Sequence, residues 1–438
     1  MRFICIIFTI ALGVGTTADA QQKAKQSLIH DTSSLPPPHA TKSKMNFSKV
    51  QGWKDGRKPS APEGFYVAKF ADGFDNPRTT YVTPNGDILV AESNTNHGFW
   101  ERVGGHIVGA SKSNNLHHSA DRITILRDTN NDGVPDERNI FLKDLNQPFG
   151  MLILGKWFYV ANTDGLWRYA YSEGDPAISG KGEKILDLPA GKHNRHWTRN
   201  LIASQDGSKI FIAIGSGSNA AEFGIQNELL RADIIEIKPD GTDMKVYASG
   251  LRNPVGMGWA PGTHTLWTVV NERDELGDDL VPDYLTSVKE AGFYGWPYSY
   301  FGDHPDARVK DVKPSSLGKA IVPDVQLGSH TASLGLVFYT GHTFPEKYRN
   351  GAFIGQHGSW NRSTLSGYKI VFVPFKNGKP SGPPEDFLTG FVADLKKDKV
   401  YGRPVGLTLL SNGSILITDD VNDTIWSVSG VNQSTSKK

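Results

Sequence analysis

His196, in the run HNRHWTRN, carries an imidazole that can take a proton near neutral pH, which oxidation of an alcohol requires. His193 in the same run is equally available, and a structural or surface role also accounts for either residue. Arg78, Arg252 and Arg403 each lie close to a proline, Pro77, Pro254 and Pro404, whose ring restricts the local backbone and helps fix where the guanidinium points. Guanidinium groups placed alike can clamp a polyanion, because each offers a planar fork to a carboxylate. Ion pairs between neighbouring units explain them equally well.

Three further segments carry candidate chemistry. Asn271 to Asp279 is the densest charged stretch, and its carboxylates and turned carbonyls are ligand types that calcium takes, as well as what a solvated loop would contain. Asp128, Asn130, Asp132 and Gly133 resemble the first half of a calcium loop, but the twelfth position is Asn139, so a turn stiffened by side-chain-to-backbone bonds is favoured. In the run His357 to Arg362, Trp360 can stack on a planar ring while His357 or Arg362 meets its polar edge. A tryptophan buried between packed sheets accounts for the run as well. Neither dinucleotide and phosphate-loop fingerprints nor zinc-protease and hydrolase motifs occur.

These residues need a scaffold, and the chain repeats one. A strand, a tight turn and a second strand recur at Arg78 to Glu92, Gly150 to Val160, Arg199 to Ile214, Arg252 to Val270, Leu334 to Gly355 and Arg403 to Thr418. The spacing of the units suits propeller blades with variable loops, and stacking six sheets radially buries faces that no single sheet can bury. The predicted fold is an all-β, six-bladed β-propeller over residues 56–431. Helical signal is confined to Asp283 to Lys289 and Gln226 to Leu230. Each second strand ends in polar residues, such as Ser216-Gly217-Ser218, His357-Gly358-Ser359 and Asp419-Asp420, which predicts one polar cleft shared by the six units.

Residues 1–20 read as a cleaved signal peptide, with Arg2, an apolar run from Phe3 to Gly15 and small residues at Ala18 and Ala20. The apolar run is too short to cross a membrane. Periplasmic or secreted residence follows, with no integral membrane segment after cleavage. The single cysteine, Cys5, falls within the signal, so the mature chain must be held by its core rather than by disulfides. Residues 21–55 read as a polar leader and 432–438 as a flexible tail. The formal net charge of +1 gives no long-range attraction to nucleic acid or to an anionic membrane.

The runs LNQPFGM (145–151), HWTRNL (196–201), GLRNPVGMGWAP (250–261), LGSHTASLGLVFY (327–339), GAFIGQHGSWNR (351–362), GYKIVFVPF (367–375) and GRPVGL (402–407), with the stretch from Asn271 to Gly302, resemble the sorbosone dehydrogenase family. That family is related to the soluble glucose dehydrogenases that use pyrroloquinoline quinone (PQQ). The resemblance implies a PQQ- and calcium-dependent oxidation of an aldose, sorbosone or related sugar aldehyde. His196 would be the general base, and hydride would pass to the quinone. It implies cofactor contacts at Arg252, Asn253 and Arg403, with Arg78, His357 and Trp360 as further candidates, and calcium at the turn Arg273-Asp274. It also implies a periplasmic electron acceptor such as a cytochrome or quinone. Two departures bear on the substrate: Arg195 stands where the glucose dehydrogenases have an Asp before the catalytic His, and Ser216 where they carry an acid. The alternative is a non-catalytic propeller that binds a carbohydrate or a protein, since a polar cleft serves binding as readily as turnover.

Overall fold

The computed structural model describes residues 35–96, 110–113, 118–130 and 132–431. The signal peptide, the leader up to residue 34 and the tail 432–438 lie outside the described residues. Six sheets of four or five strands, antiparallel except where Gly292–Phe293 joins the third in parallel, dominate the described chain in a propeller-like arrangement. Each begins with one of the hairpins expected from the sequence: Pro77–Val82 with Ile88–Glu92, Met151–Leu154 with Trp157–Asn162, Arg199–Ala203 with Ile210–Ile214, Pro254–Trp259 with Leu266–Val270, Ser333–Phe338 with Gly351–Gln356, and Pro404–Leu409 with Ile415–Asp419. The second strands of the first, third, fourth, fifth and sixth hairpins are buried along their whole length, because neighbouring sheets cover both of their faces.

Apolar seams join the sheets in sequence. Tyr159 and Leu166 of the second sheet pack with Ile210 and Ile212 of the third, and Trp267 and Leu285 of the fourth with Ile354 and Val371 of the fifth. The sixth sheet draws on both ends of the chain, since Phe65–Asp72 pairs antiparallel with Thr424–Gly430. Ile88, Val90 and Leu126 pack with Leu416 and Ile425, so the first and last sheets also share a seam. Where first strands meet, glycines permit close backbone approach. A Cβ on Gly335 would lie 2.2 Å from the Val405 carbonyl, and one on Gly406 would lie 2.7 Å from the Arg78 carbonyl.

One secondary-structure expectation is corrected. Asp283 to Lys289 does not start a helix: Pro282–Ser287 is the third strand of the fourth sheet, and Tyr284, Leu285 and Thr286 are wholly buried there. Aromatic and β-branched side chains that pack on two faces outweigh the weak helical signal. The Gln226 to Leu230 segment does form a helical turn, a short 3-10 helix at Ile225–Glu228.

Residues 35–60 run as an ordered strap over the loops at one end of the sheets. The His39 amide donates to the Leu276 carbonyl, the amides of Gly277 and Asp278 donate to Ser43 and Thr41, and Asn46 donates to the Trp360 carbonyl. Lys49–Val50 then pairs in parallel with Lys399–Val400, and the Trp53 indole donates to the Asp419 carboxylate at 2.7 Å. No helix among the described residues is long and apolar enough to cross a membrane.

Candidate active site

The site is built from connections that share one end of the sheets, those entering each first strand and those leaving each second strand. His196 sits just before the third sheet's first strand, and Ser216 just after its second. That register brings the His196 Nδ1 within 2.9 Å of both the carbonyl and the hydroxyl oxygen of Ser216. The Ser216 hydroxyl donates its own proton to the Ser218 carbonyl at 2.6 Å, so both Ser216 oxygens are acceptors towards the ring. Nδ1 therefore carries the proton, and Nε2 keeps its lone pair. Burial holds the His196 imidazolium well below its ordinary range, and Arg252, Arg195 and Arg199 add to this against the Ser216 carbonyl. A neutral, oriented imidazole is what a general base needs. His193 instead stacks flat on Phe223, with ring centroids 3.8 Å apart.

Arg252 and Asn253 enter the fourth sheet beside this histidine. A Cβ on Gly215 would meet the Asn253 Oδ1 at 2.3 Å and the His196 Cβ at 2.5 Å, so the two side chains converge over that glycine. The Asn253 Oδ1 is buried with no protein partner. Arg252 donates to the carbonyls of Asn219, Asn271 and Glu272, to the Asn219 Oδ1 and to the Asp274 carboxylate, which engages all five of its N–H groups. In this structure it fastens the loop after the fourth sheet's second strand to the loop at Asn219.

That loop holds the Arg273-Asp274 turn. The Arg273 side chain is fully buried and donates to Glu272, Asp306 and the carbonyls of Pro297 and Ser299. The Asp274 carboxylate pairs with Arg252 and with the His330 Nδ1 at 3.2 Å, while its carbonyl accepts from Arg308 at 2.9 Å and from Asn219 at 3.1 Å. Burial alone would raise the Asp274 carboxyl, but His330 and Arg252 more than reverse this and keep it ionised. Calcium does not fit the Asp274 oxygens as they stand, because guanidinium, imidazole and amide groups already occupy them. The loop from Asp128 is a closed turn, with the Asp128 carboxylate accepting from the amides of Asp132 and Gly133.

On the other side of the site, Arg78, His357, Arg403 and Asp420 form a buried cluster drawn from three sheets. Asp420 takes a very short bond from Arg78, and the His357 Nε2 lies 2.9 and 3.1 Å from its two oxygens. Arg403 donates to the carbonyls of His357 and Gly358 and lies over the Tyr368 ring. Burial and the Arg403 charge push His357 down to about 4, against the pull of Asp420. Burial would raise Asp420, but His357, Arg78 and Arg403 hold it far below the carboxylate range. With His357 neutral, two guanidinium groups face one carboxylate. The Arg78 Nε is buried without a partner. An excess of desolvated positive charge and an unused donor fit an anionic guest. Trp197 links the two halves, since it follows His196 in sequence and lies 5.5 Å from the Arg78 guanidinium. Trp360 is half-buried, and Phe47 of the strap stacks on it at 6.0 Å.

Two clefts flank Arg195. One of about 580 Å³ is lined by Lys192, His193, Asn194, Trp197 and Phe223 among others, and one of about 530 Å³ lies towards Asn219 and Arg308. A cavity of about 880 Å³ lies at the outer edge of the sixth sheet between Trp53, Tyr66 and Trp426, away from the residues of this site. Sequence reasoning missed Asn219, His330 and Asp274's role as their joint partner. It had marked Asp420 only as the end of a strand.

Residues 86–359 match the family model described as "Domain of unknown function (DUF7133)", and residues 300–431 match one described as "TrAA12-like". An uncharacterized protein of Borreliella burgdorferi is 30% identical over 297 residues, covering 65% of this chain and 76% of that protein. A pyrroloquinoline quinone-dependent pyranose dehydrogenase of Coprinopsis cinerea is 23% identical over 423 residues, covering 83% of this chain but only 53% of the relative. Among solved structures, the calcium structure of a Trichoderma reesei carbohydrate-active enzyme of family AA12 superposes with a TM-score of 0.68 at 20% identity, over 88% of this chain and 99% of that one. The resemblance to PQQ-dependent sugar dehydrogenases read from the motifs is therefore met by a sequence match to one such enzyme, and the fold is shared with the family AA12 structure.

Proposed function

The chain belongs to the DUF7133 family, and we propose that it is an exported six-bladed propeller that oxidises an aldose, sorbosone or related sugar aldehyde with PQQ as electron acceptor. His196 carries the proposal: its Nδ1 is fixed by Ser216, its Nε2 is left as an acceptor, and its surroundings keep it neutral. In this reading the Nε2 takes the proton of the substrate hydroxyl. The bound quinone would supply a two-electron acceptor, chemistry that no side chain of this protein provides. Arg78 and Arg403 would hold its carboxylates, and the unpartnered Asn253 Oδ1 would accept from an N–H group. Arg252 contributes positive field and holds the turn at Asp274 in place. Calcium at this turn would require the donors that now hold the Asp274 oxygens to move. Export rests on residues 1–20, and the final acceptor would be a cytochrome or quinone of that compartment.

Reconstitution of the purified protein with PQQ, followed by dye reduction across a panel of aldoses and sorbosone, tests the proposal. Saturable quinone binding with sugar-dependent dye reduction is expected, and His196→Ala should retain the binding while losing turnover. Failure to bind quinone would overturn the proposal. Quinone binding without turnover of any sugar would leave a binding propeller in its place.

A further inference from the structure

The two clefts that flank Arg195 differ in charge. The 530 Å³ cleft is balanced, with Arg195, Arg308 and Lys310 set against Glu222, Glu275 and Asp311. The 580 Å³ cleft is not: Lys192 and Arg195 line it, and no Asp or Glu among the described residues does. Lys192 is exposed, and the Arg195 side chain is 53% exposed. The Arg195 guanidinium pairs with Glu222, 3.3 Å from Nη1, and its charge also reaches the buried Asp274. Glu222 is itself shared, since the amides of Ala220 and Asn219 donate to it at 2.8 and 3.2 Å. Arg195 is thus left with donors beyond that pair. Trp197 and the stacked His193–Phe223 pair give the lining an aromatic side. Arg195 and Trp197, the residues on either side of His196 in the chain, both line this cleft.

We infer that this cleft is the substrate subsite and that it selects a sugar carrying an anionic group, a carboxylate or a phosphate, held by Lys192 and Arg195. The inference rests on the dehydrogenase reading for its word "substrate" but not for its binding prediction. Two cations with no lining carboxylate among the described residues favour an anion over a neutral hydroxyl, and the guanidinium fork matches both kinds of oxyanion. A charge-assisted bond of this kind makes a difference of at least about tenfold in affinity.

Calorimetric titration of the protein without cofactor measures this directly, with glucuronate, glucose 6-phosphate, glucose and free acetate as probes. Glucuronate or glucose 6-phosphate should bind at least about tenfold more tightly than glucose at low salt, with the advantage shrinking as salt rises. Lys192→Gln and Arg195→Gln should each reduce that ratio, with the folded near-ultraviolet dichroism retained. Equal binding of charged and neutral sugars would overturn the inference, as would an advantage that survives both substitutions or acetate binding as tightly as glucuronate. Quinone binding on the same samples separates the two ideas. A protein that binds quinone and oxidises glucose as readily as glucuronate loses the subsite but keeps the dehydrogenase, whereas selective glucuronate binding without quinone binding does the reverse.

Discussion

Replacing Asp420 by Asn isolates the charge of the buried cluster from its shape. Asn keeps an oxygen for the Arg78 bond, and its amide can face His357, whose other tautomer accepts, so the packing survives while the negative charge is lost. The Arg78 and Asp420 side chains are 11% and 4% exposed, so solvent screens the pair little. Two unit charges about 4 Å apart in an effective dielectric near 20 interact by about 4 kcal/mol, and breaking such a buried pair from one side costs about 3–5 kcal/mol. Arg78 would also face Arg403 without compensation, a repulsion that already helps lower its affinity for a proton after burial itself. The apoprotein should therefore lose about 3–5 kcal/mol in urea denaturation. Saturating PQQ should return more stability to the variant than to the wild type, because a guest bearing carboxylates replaces the missing charge. A loss below about 1 kcal/mol, or identical stabilisation of both proteins by PQQ, would refute the view that this cluster is built around an anion.

Three other outcomes follow from the same geometry. His196 is held below its ordinary value of 6.5, so kcat/KM should stay level as pH falls through 6.5 and drop only in more acid solution. Arg195→Gln should move that limb upward, and an acid limb centred at or above 6.5 in the wild type would contradict the assigned environment. Asp419, raised to about 7 chiefly by burial, is protonated in the folded state over a range where the unfolded chain is ionised. Its contribution to stability is thus greatest below about pH 4 and is lost as pH rises towards 7. Asp419→Asn should remove that part of the pH dependence, read as the difference between the two proteins' urea midpoints at pH 5 and pH 8. Finally, Arg252, His330, Arg308 and Asn219 hold Asp274 without a metal, so EGTA should leave the melting temperature of the apoprotein unchanged. A fall of several degrees would show that a cation braces the turn.

The six inner hairpins were legible because each is a local event, a turn residue between two short apolar strands, and needs no knowledge of what packs on it. Outer strands and the strap were less so. Pro282–Ser287 is a strand because sheets cover it on both faces, and residues 35–60 are ordered because Thr41, Ser43 and Asn46 find partners on distant loops. Polar side chains of this kind look the same in a disordered leader until their partners are known. The site divides in the same way. That strand ends would converge was readable from the repeat, but Arg78 meets Asp420 across 342 residues of sequence, and no local pattern records that pairing.

Ser216 shows most plainly how a departure from a family pattern acquires meaning. Read alone, Ser216 in place of an acid bears only on the surroundings of His196 or on how a substrate is oriented. In the structure the serine hydroxyl is spent on Ser218, so serine and its carbonyl both accept from Nδ1 without bringing a charge. A carboxylate in that place would stabilise the imidazolium and raise its pKa. Serine fixes the same tautomer while leaving Arg252 and Arg195 to depress it. Against the glucose-dehydrogenase pattern, Ser216 and Arg195 therefore act in one direction: both favour a neutral His196 over a wider pH range, in more positive surroundings. A pocket altered in both respects suits a substrate that brings its own negative charge.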